Sequence, residues 1–161
     1  MSSAIVKSDF SNYLFHLWTS KTPPIKYLTE LLKDLLTDGN LECSAEGIKL
    51  LSIDSGRTVL IHMKLHKDSF EDYKCEQPII LGINLEHFFK IIKNMENTDT
   101  LRLFVTKDNV NRLGIERYNK EENIIFRKIL KNFLVKFQKS NPPIVNPLLV
   151  FGKSNIPLLQ F

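Results

Sequence analysis

Apolar and polar residues recur with two different periods along this chain, and the periods divide it into elements. Residues 13–18, Tyr-Leu-Phe-His-Leu-Trp, are aromatic and β-prone and predict a first strand. Thr22-Pro23-Pro24 then opens a helix, with Thr22 as the expected N-cap and proline tolerated in the first turn. From Ile25 the apolar positions fall at 25, 28, 32, 35 and 36, one stripe at helical spacing. Asp38-Gly39-Asn40 is expected to end this helix as a C-terminal glycine cap. Strands are predicted at 41–44 and 48–53, on either side of a turn at Ala45-Glu46-Gly47. After the turn signal Asp54-Ser55-Gly56, Thr58, Leu60, His62 and Lys64 alternate with Val59, Ile61, Met63 and Leu65. Strict alternation means a sheet with one wet face. Two short strands follow at 70–75 and 78–82, and Asn84 caps a second helix over 85–95 with a stripe at Leu85, Phe88, Phe89 and Ile92. Residues 101–105 and 112–117 flank a polar turn and predict a hairpin. The order predicts the α+β class, two helices packed on one side of a mostly antiparallel sheet, rather than alternating βαβ units.

Composition narrows the class. A chain of 161 residues with 43% hydrophobic content can bury a core without disulfide or metal. No apolar run approaches the ~18 residues of a membrane span, and residues 1–14 lack the apolar segment of a signal peptide. Cys43 and Cys75, with no Asn-x-Ser/Thr sequon, point to free thiols in a reducing, intracellular compartment. Phe151-Gly152-Lys153-Ser154 ends like a phosphate loop, but Pro147 stands where its first glycine must be. His62 and His66 on one strand face would be roughly 13 Å apart, too far to share a metal. The cysteines have no Cys-x-x-Cys spacing, and Asp54 with Ser55 reads as a turn. No catalytic residue, metal or cofactor is called for, and the expectation is a protein that is not an enzyme.

Charge adds one feature. Opposite its apolar stripe the first helix carries Lys26, Glu30 and Lys33, and the second Glu86, Lys90 and Lys93 with His87 alongside. Two amphipathic helices on one side of a sheet, each exposing two lysines, can track a phosphate backbone without reading bases. Exposed helix lysines are more often simply solvated, and the pattern alone leaves both readings open.

The segments around these helices carry a resemblance. Residues 50–61, Leu-Leu-Ser-Ile-Asp-Ser-Gly-Arg-Thr-Val-Leu-Ile, are similar to a strand-turn-strand of eukaryotic-type sliding clamps, the proliferating cell nuclear antigen family. So is 70–93, above all Tyr73-Lys74-Cys75 and Leu81-Gly82-Ile83-Asn84-Leu85 with the Lys-Ile-Ile-Lys run, and Leu32-Lys33-Asp34-Leu35 resembles the family's first helix. The resemblance covers roughly 13–117. It implies a processivity factor: a ring around double-stranded DNA, bound without sequence preference, with helices inside and a continuous sheet outside. Lys26, Lys33, Lys90 and Lys93 match DNA-facing positions, Lys74 lies in a stretch regarded as DNA-binding, and Tyr27 stands where a further lysine is usual. Ile53, Arg57 and Leu60 match the pocket that takes hydrophobic and aromatic motifs of partners, with Arg57 replacing a common histidine. Periodicity alone favours plain sheet packing for Ile53 and Leu60; only the resemblance makes them partner residues. The implied partners are DNA polymerase, other proteins with clamp-binding motifs, a clamp loader and further copies of the chain, with no membrane. The implied location is the nucleus, or the replication site of a virus. A checkpoint clamp subunit and a pure interaction module are the alternatives.

Residues 123–130 read as the last strand of the first domain and 131–161 no longer resemble the family, so the division expected is a clamp domain at 1–130 and a divergent tail at 131–161, with the family's second domain missing. After Glu122 there is no acidic residue and there are six basic ones, which leaves residues 1–122 at a net −2. The tail also holds four prolines. It reads as the tail of a short clamp-like protein, as a truncated or frame-shifted copy, or, through Phe126, Ile129, Leu130, Phe133, Leu134 and Phe137, as a basic amphipathic helix for a membrane surface or partner groove.

Overall fold

The computed structural model describes residues 10–119, 121–130, 134–137 and 158–160, the last two stretches as backbone only. Eleven strands and two helices follow one another there: β1 (Tyr13–Thr19), α1 (Thr22–Leu35), β2 (Asp38–Ser44), β3 (Gly47–Ile53), β4 (Leu60–His66), β5 (Asp72–Cys75), β6 (Ile79–Asn84), α2 (Leu85–Ile92), β7 (Asp99–Thr106), β8 (Leu113–Asn119), β9 (Ile124–Leu130), β10 (Leu134–Phe137) and β11 (Leu158–Gln160). The strands form two sheets, in the orders β5-β1-β7-β8-β9 and β10-β6-β2-β3-β4-β11. All pairings are antiparallel except the last, where β11 runs parallel to β4. The α+β class with antiparallel pairing is what the chain adopts, its strands shared between two sheets.

The core lies where both sheets meet the helices. Phe15 and Leu17 of β1, Ile48 and Leu50 of β3, Ile61 and Met63 of β4, Ile79 and Leu81 of β6 and Leu101 and Val105 of β7 are all buried. The alternation read in β4 has this cause: Ile61 and Met63 face the core, Lys64 and His66 face water. Leu32 and Leu36 from the first helical stripe and Leu85, Phe88 and Ile92 from the second complete the packing.

Two helix ends differ from expectation. Thr22 is not the N-cap; Lys21 holds that place without a side-chain bond, and Pro23 and Pro24 enter the first turn. Thr22 is buried, and its hydroxyl donates to the Glu96 carbonyl (3.0 Å), tying the start of α1 to the segment after α2. Nor does Asp38-Gly39-Asn40 form a glycine cap. Leu36 leaves α1 in an extended conformation, and Asp38 to Asn40 already pair with Asn84, Ile83 and Gly82 of β6. Strand pairing outcompeted the local turn signal. The second cap is as read: the Asn84 side chain accepts from the His87 amide (2.9 Å). The amphipathic-helix reading of the tail fails over its described part, because Phe126, Ile129 and Leu130 lie in β9 and Leu134 and Phe137 in β10; Phe133 lies outside the described residues.

Candidate nucleic-acid and partner interfaces

α1 and α2 lie side by side, and two lysines of α1 reach across to α2 and its C-terminal end. The Lys26 ammonium donates to the Met95 carbonyl just beyond α2 (3.2 Å), and Lys33 sits 5.0 Å from the centre of the Phe89 ring. Lys33 also pairs with Asp34, whose carboxylate raises the lysine above its ordinary pKa. Lys90 pairs with Glu86 one turn earlier (2.6 Å), and Lys93 is exposed at the C-cap of α2. Two of the four lysines therefore already meet a carboxylate on their own helix, pairs of small energetic weight at the surface. Tyr27, 69% exposed, and Leu31 project from the same helix. The surface is basic but moderate, a face for diffuse attraction rather than for fixing one phosphate register.

Lys74 is not brought to this face. It lies in β5 directly opposite His16 of β1, on the side of the sheet turned away from Phe15 and Leu17 and hence from the core. There it lies 3.6 Å from Glu76, which also takes Lys107 (2.9 Å).

Ile53 and Leu60 are cross-strand partners at the loop end of the β3–β4 hairpin, both half-buried. The six-residue connection between them is organised by one carboxylate. Asp54 accepts from the amides of Gly56 (3.1 Å), Thr58 (2.7 Å) and Val59 (2.6 Å) and from the Thr58 hydroxyl (3.1 Å). These donors, the Val59 amide foremost, hold the Asp54 carboxyl below the ordinary range. Arg57 occupies the left-handed region (φ 55°), which a non-glycine residue adopts at some cost, and its side chain is exposed beside the hairpin end. Two residues before Ile53, and therefore on the same face, Leu51 is 45% exposed. Sequence reading missed Leu51, although its i, i+2 relation to Ile53 was the available signal.

On the other face of the five-stranded sheet, a charged cluster is stacked strand by strand. Arg102 of β7 donates to His16 Nε2 (3.0 Å) and reaches Glu116 of β8, which in turn binds Arg127 of β9. Burial first, and Arg102 second, push His16 down to a pKa of about 4. At the outer edge, Ile124, Ile125, Phe126 and Ile129 of β9 are all exposed. Among the described residues no strand pairs with the far side of β9.

Helices on one side and sheets on the other, with lysines on the helix layer and an open strand edge, define a DNA clamp domain. Comparison with known proteins names the family. A family model described as "Proliferating cell nuclear antigen, N-terminal domain" matches residues 17–138, and the chain belongs to that family. It is 32% identical over 123 residues to "Probable DNA polymerase sliding clamp 1" of Paramecium bursaria Chlorella virus 1, a match that covers 76% of this chain and 47% of the relative. It is 38% identical over 79 residues to proliferating cell nuclear antigen of Dictyostelium discoideum, covering 49% and 31%. In three dimensions it is similar to a crystal structure of proliferating cellular nuclear antigen from Entamoeba histolytica, with TM-score 0.69, 28% identity, and 81% and 52% of the two chains covered. The chain thus spans between about a third and a half of the length of these relatives.

Proposed function

We propose that this chain works as a DNA sliding clamp subunit, holding duplex DNA against α1 and α2 and presenting the β3–β4 hairpin to replication proteins. The observation that carries the reading is the lysine face of the two side-by-side helices in a domain of this family. Lys26, Lys33, Lys90 and Lys93 supply the attraction; Lys74, on the opposite side of the five-stranded sheet, is outside that face. Ile53, Leu60 and Leu51 form the floor on which an apolar partner motif rests, with Arg57 at its rim. The role is that of a scaffold and assigns no chemistry to any residue. Polymerase, clamp loader and a nuclear or viral replication site go with it.

Subunit contact follows from the exposed apolar edge of β9, which suits head-to-tail pairing with another copy. Six single domains would rebuild a closed ring of about 112 kDa from the 18.7 kDa chain. On this reading residues 1–130 are the clamp domain and 131–161 a divergent tail whose first residues, up to 138, still fall within the family match. Light scattering at two concentrations separates the ring from a lone domain near 18.7 kDa.

Duplex binding tests the lysine face. Four phosphate contacts give a log–log salt slope of about −3.6, so affinity falls on the order of a hundredfold between 50 and 200 mM salt. Lys93→Ala is expected to flatten the slope by about 0.9, and reversing all four lysines to glutamate to abolish binding. Full retention of duplex by the fourfold reversal would exclude this face. A pure interaction module is the second reading, favoured by the apolar floor at Leu51, Ile53 and Leu60, and it predicts peptide binding with no duplex affinity.

A further inference from the structure

We propose that the outer edge of β4 is a strand-docking site whose internal occupant is the chain's own Leu158–Gln160, a removable cap that competes with a second copy for β4. The identity of the incoming strand, β9 of that copy, rests on the assembly reading above; the cap itself does not.

Four observations carry it. First, β4 needs cover: Ile61 and Met63 hang from it fully buried, so the edge cannot retreat from water without opening the core. Second, β11 covers only part of it. Leu158, Leu159 and Gln160 stand opposite Leu60, Ile61 and His62, while residues 63–66 have no partner on that side among the described residues. Third, this is the single parallel ladder among the described residues and, at three register pairs, one of the two shortest ladders there, a geometry slightly less stable per residue than antiparallel pairing. Fourth, the cap is tethered with length to spare. β10 and β11 sit at opposite edges of one six-stranded sheet, about 24 Å apart at five strand steps. The twenty residues between Phe137 and Leu158 can span about 66 Å. The tether keeps the cap at high effective concentration, yet a strand that pairs along all seven residues of β4 would displace it.

The register adds a consequence. Leu158 faces Leu60, which belongs to the partner floor, so the cap borders that floor as well as the edge.

The test uses the full chain and Leu159→Pro, which deletes a backbone donor from the middle of β11. Leu159→Ala keeps the donor and serves as control. Amide exchange at residues 60–62 is expected to quicken at least tenfold in the proline variant and to stay unchanged in the alanine variant. At equal concentration, light scattering should then show the proline variant shifted towards higher mass than the wild type, in which the cap and the incoming strand compete for β4. A synthetic peptide of residues 155–161 should reverse both effects, and Ile125→Lys in the same chain should abolish the association.

Equal exchange in wild type and Leu159→Pro would overturn the cap. Faster exchange with no gain in mass would overturn it too, because β11 would then cover the edge without blocking it. A wild-type dimer that the proline variant converts to monomer would show that β11 comes from the other copy, against an internal cap. Duplex retention is measured in parallel: its absence alongside the expected exchange and mass results would remove the clamp reading and leave the cap standing.

Discussion

The Phe104 ring covers Gly114 across the β7–β8 pair, and a Cβ built on Gly114 would meet ring atoms at 2.3–2.6 Å. The glycine is there because the ring needs its space. Gly114→Ala is expected to cost about 1–3 kcal/mol in chemical denaturation, part of it recovered in combination with Phe104→Leu. His16, a few ångströms away in the same layer, is 3% exposed and neutral, with Nδ1 towards Asp72 (3.3 Å) and Nε2 accepting from Arg102. Its folded pKa of about 4 lies below the 6.5 of the unfolded chain, so on acidification the unfolded chain takes the proton first. The contribution of neutral His16 is full above pH 6.5, declines as pH falls towards 4, and is lost below. It amounts to about 3 kcal/mol at most, and His16→Gln should remove that portion of the pH slope in urea titrations. Neither residue was marked by any sequence pattern. A glycine in a strand and a histidine among aromatics acquire meaning only from the neighbours the sheet places over them.

At the level of elements, α1 and α2 end differently because their boundaries have different sources. Asn84 caps α2 by a local side-chain bond, which spacing reveals. Asn84→Ala should lower stability by about 1 kcal/mol, read as a shift of the denaturation midpoint. The boundaries of α1 come from elsewhere. Thr22 is held by the Glu96 carbonyl, 74 positions away, and Gly39 is claimed by Ile83 across a ladder. Local signals named the right residues there and the wrong roles. The Asp99–Arg117 contact is a similar long-range element: Asp99 is fully buried, its Oδ2 lies 2.6 Å from Arg117 Nε, and Arg117 also donates to the Asn94 carbonyl. Asp99→Ala would strand the guanidinium in a half-buried site and is expected to cost about 3–5 kcal/mol.

Across the whole molecule, the exposed edges matter more than the core. Four large apolar side chains stand exposed on one terminal strand, and on the proposed assembly Ile125→Lys should reduce self-association while leaving the denaturation midpoint within about 0.5 kcal/mol of wild type. The residues 131–161, which read as an appendage, contribute β10 and β11 to the two edges of the six-stranded sheet. The helix stripes, the alternation in β4 and the lysines of the candidate DNA face were legible in the chain, because period and side-chain type are local properties set by backbone geometry. The family was legible too, through the collinear match of residues 50–61 and 70–93. Which strands meet, that they form two sheets, that Lys74 faces away from α1 and α2, and that β11 settles on β4 were not legible. Those depend on pairing between segments tens of residues apart, where several registers satisfy the same alternation and packing selects one.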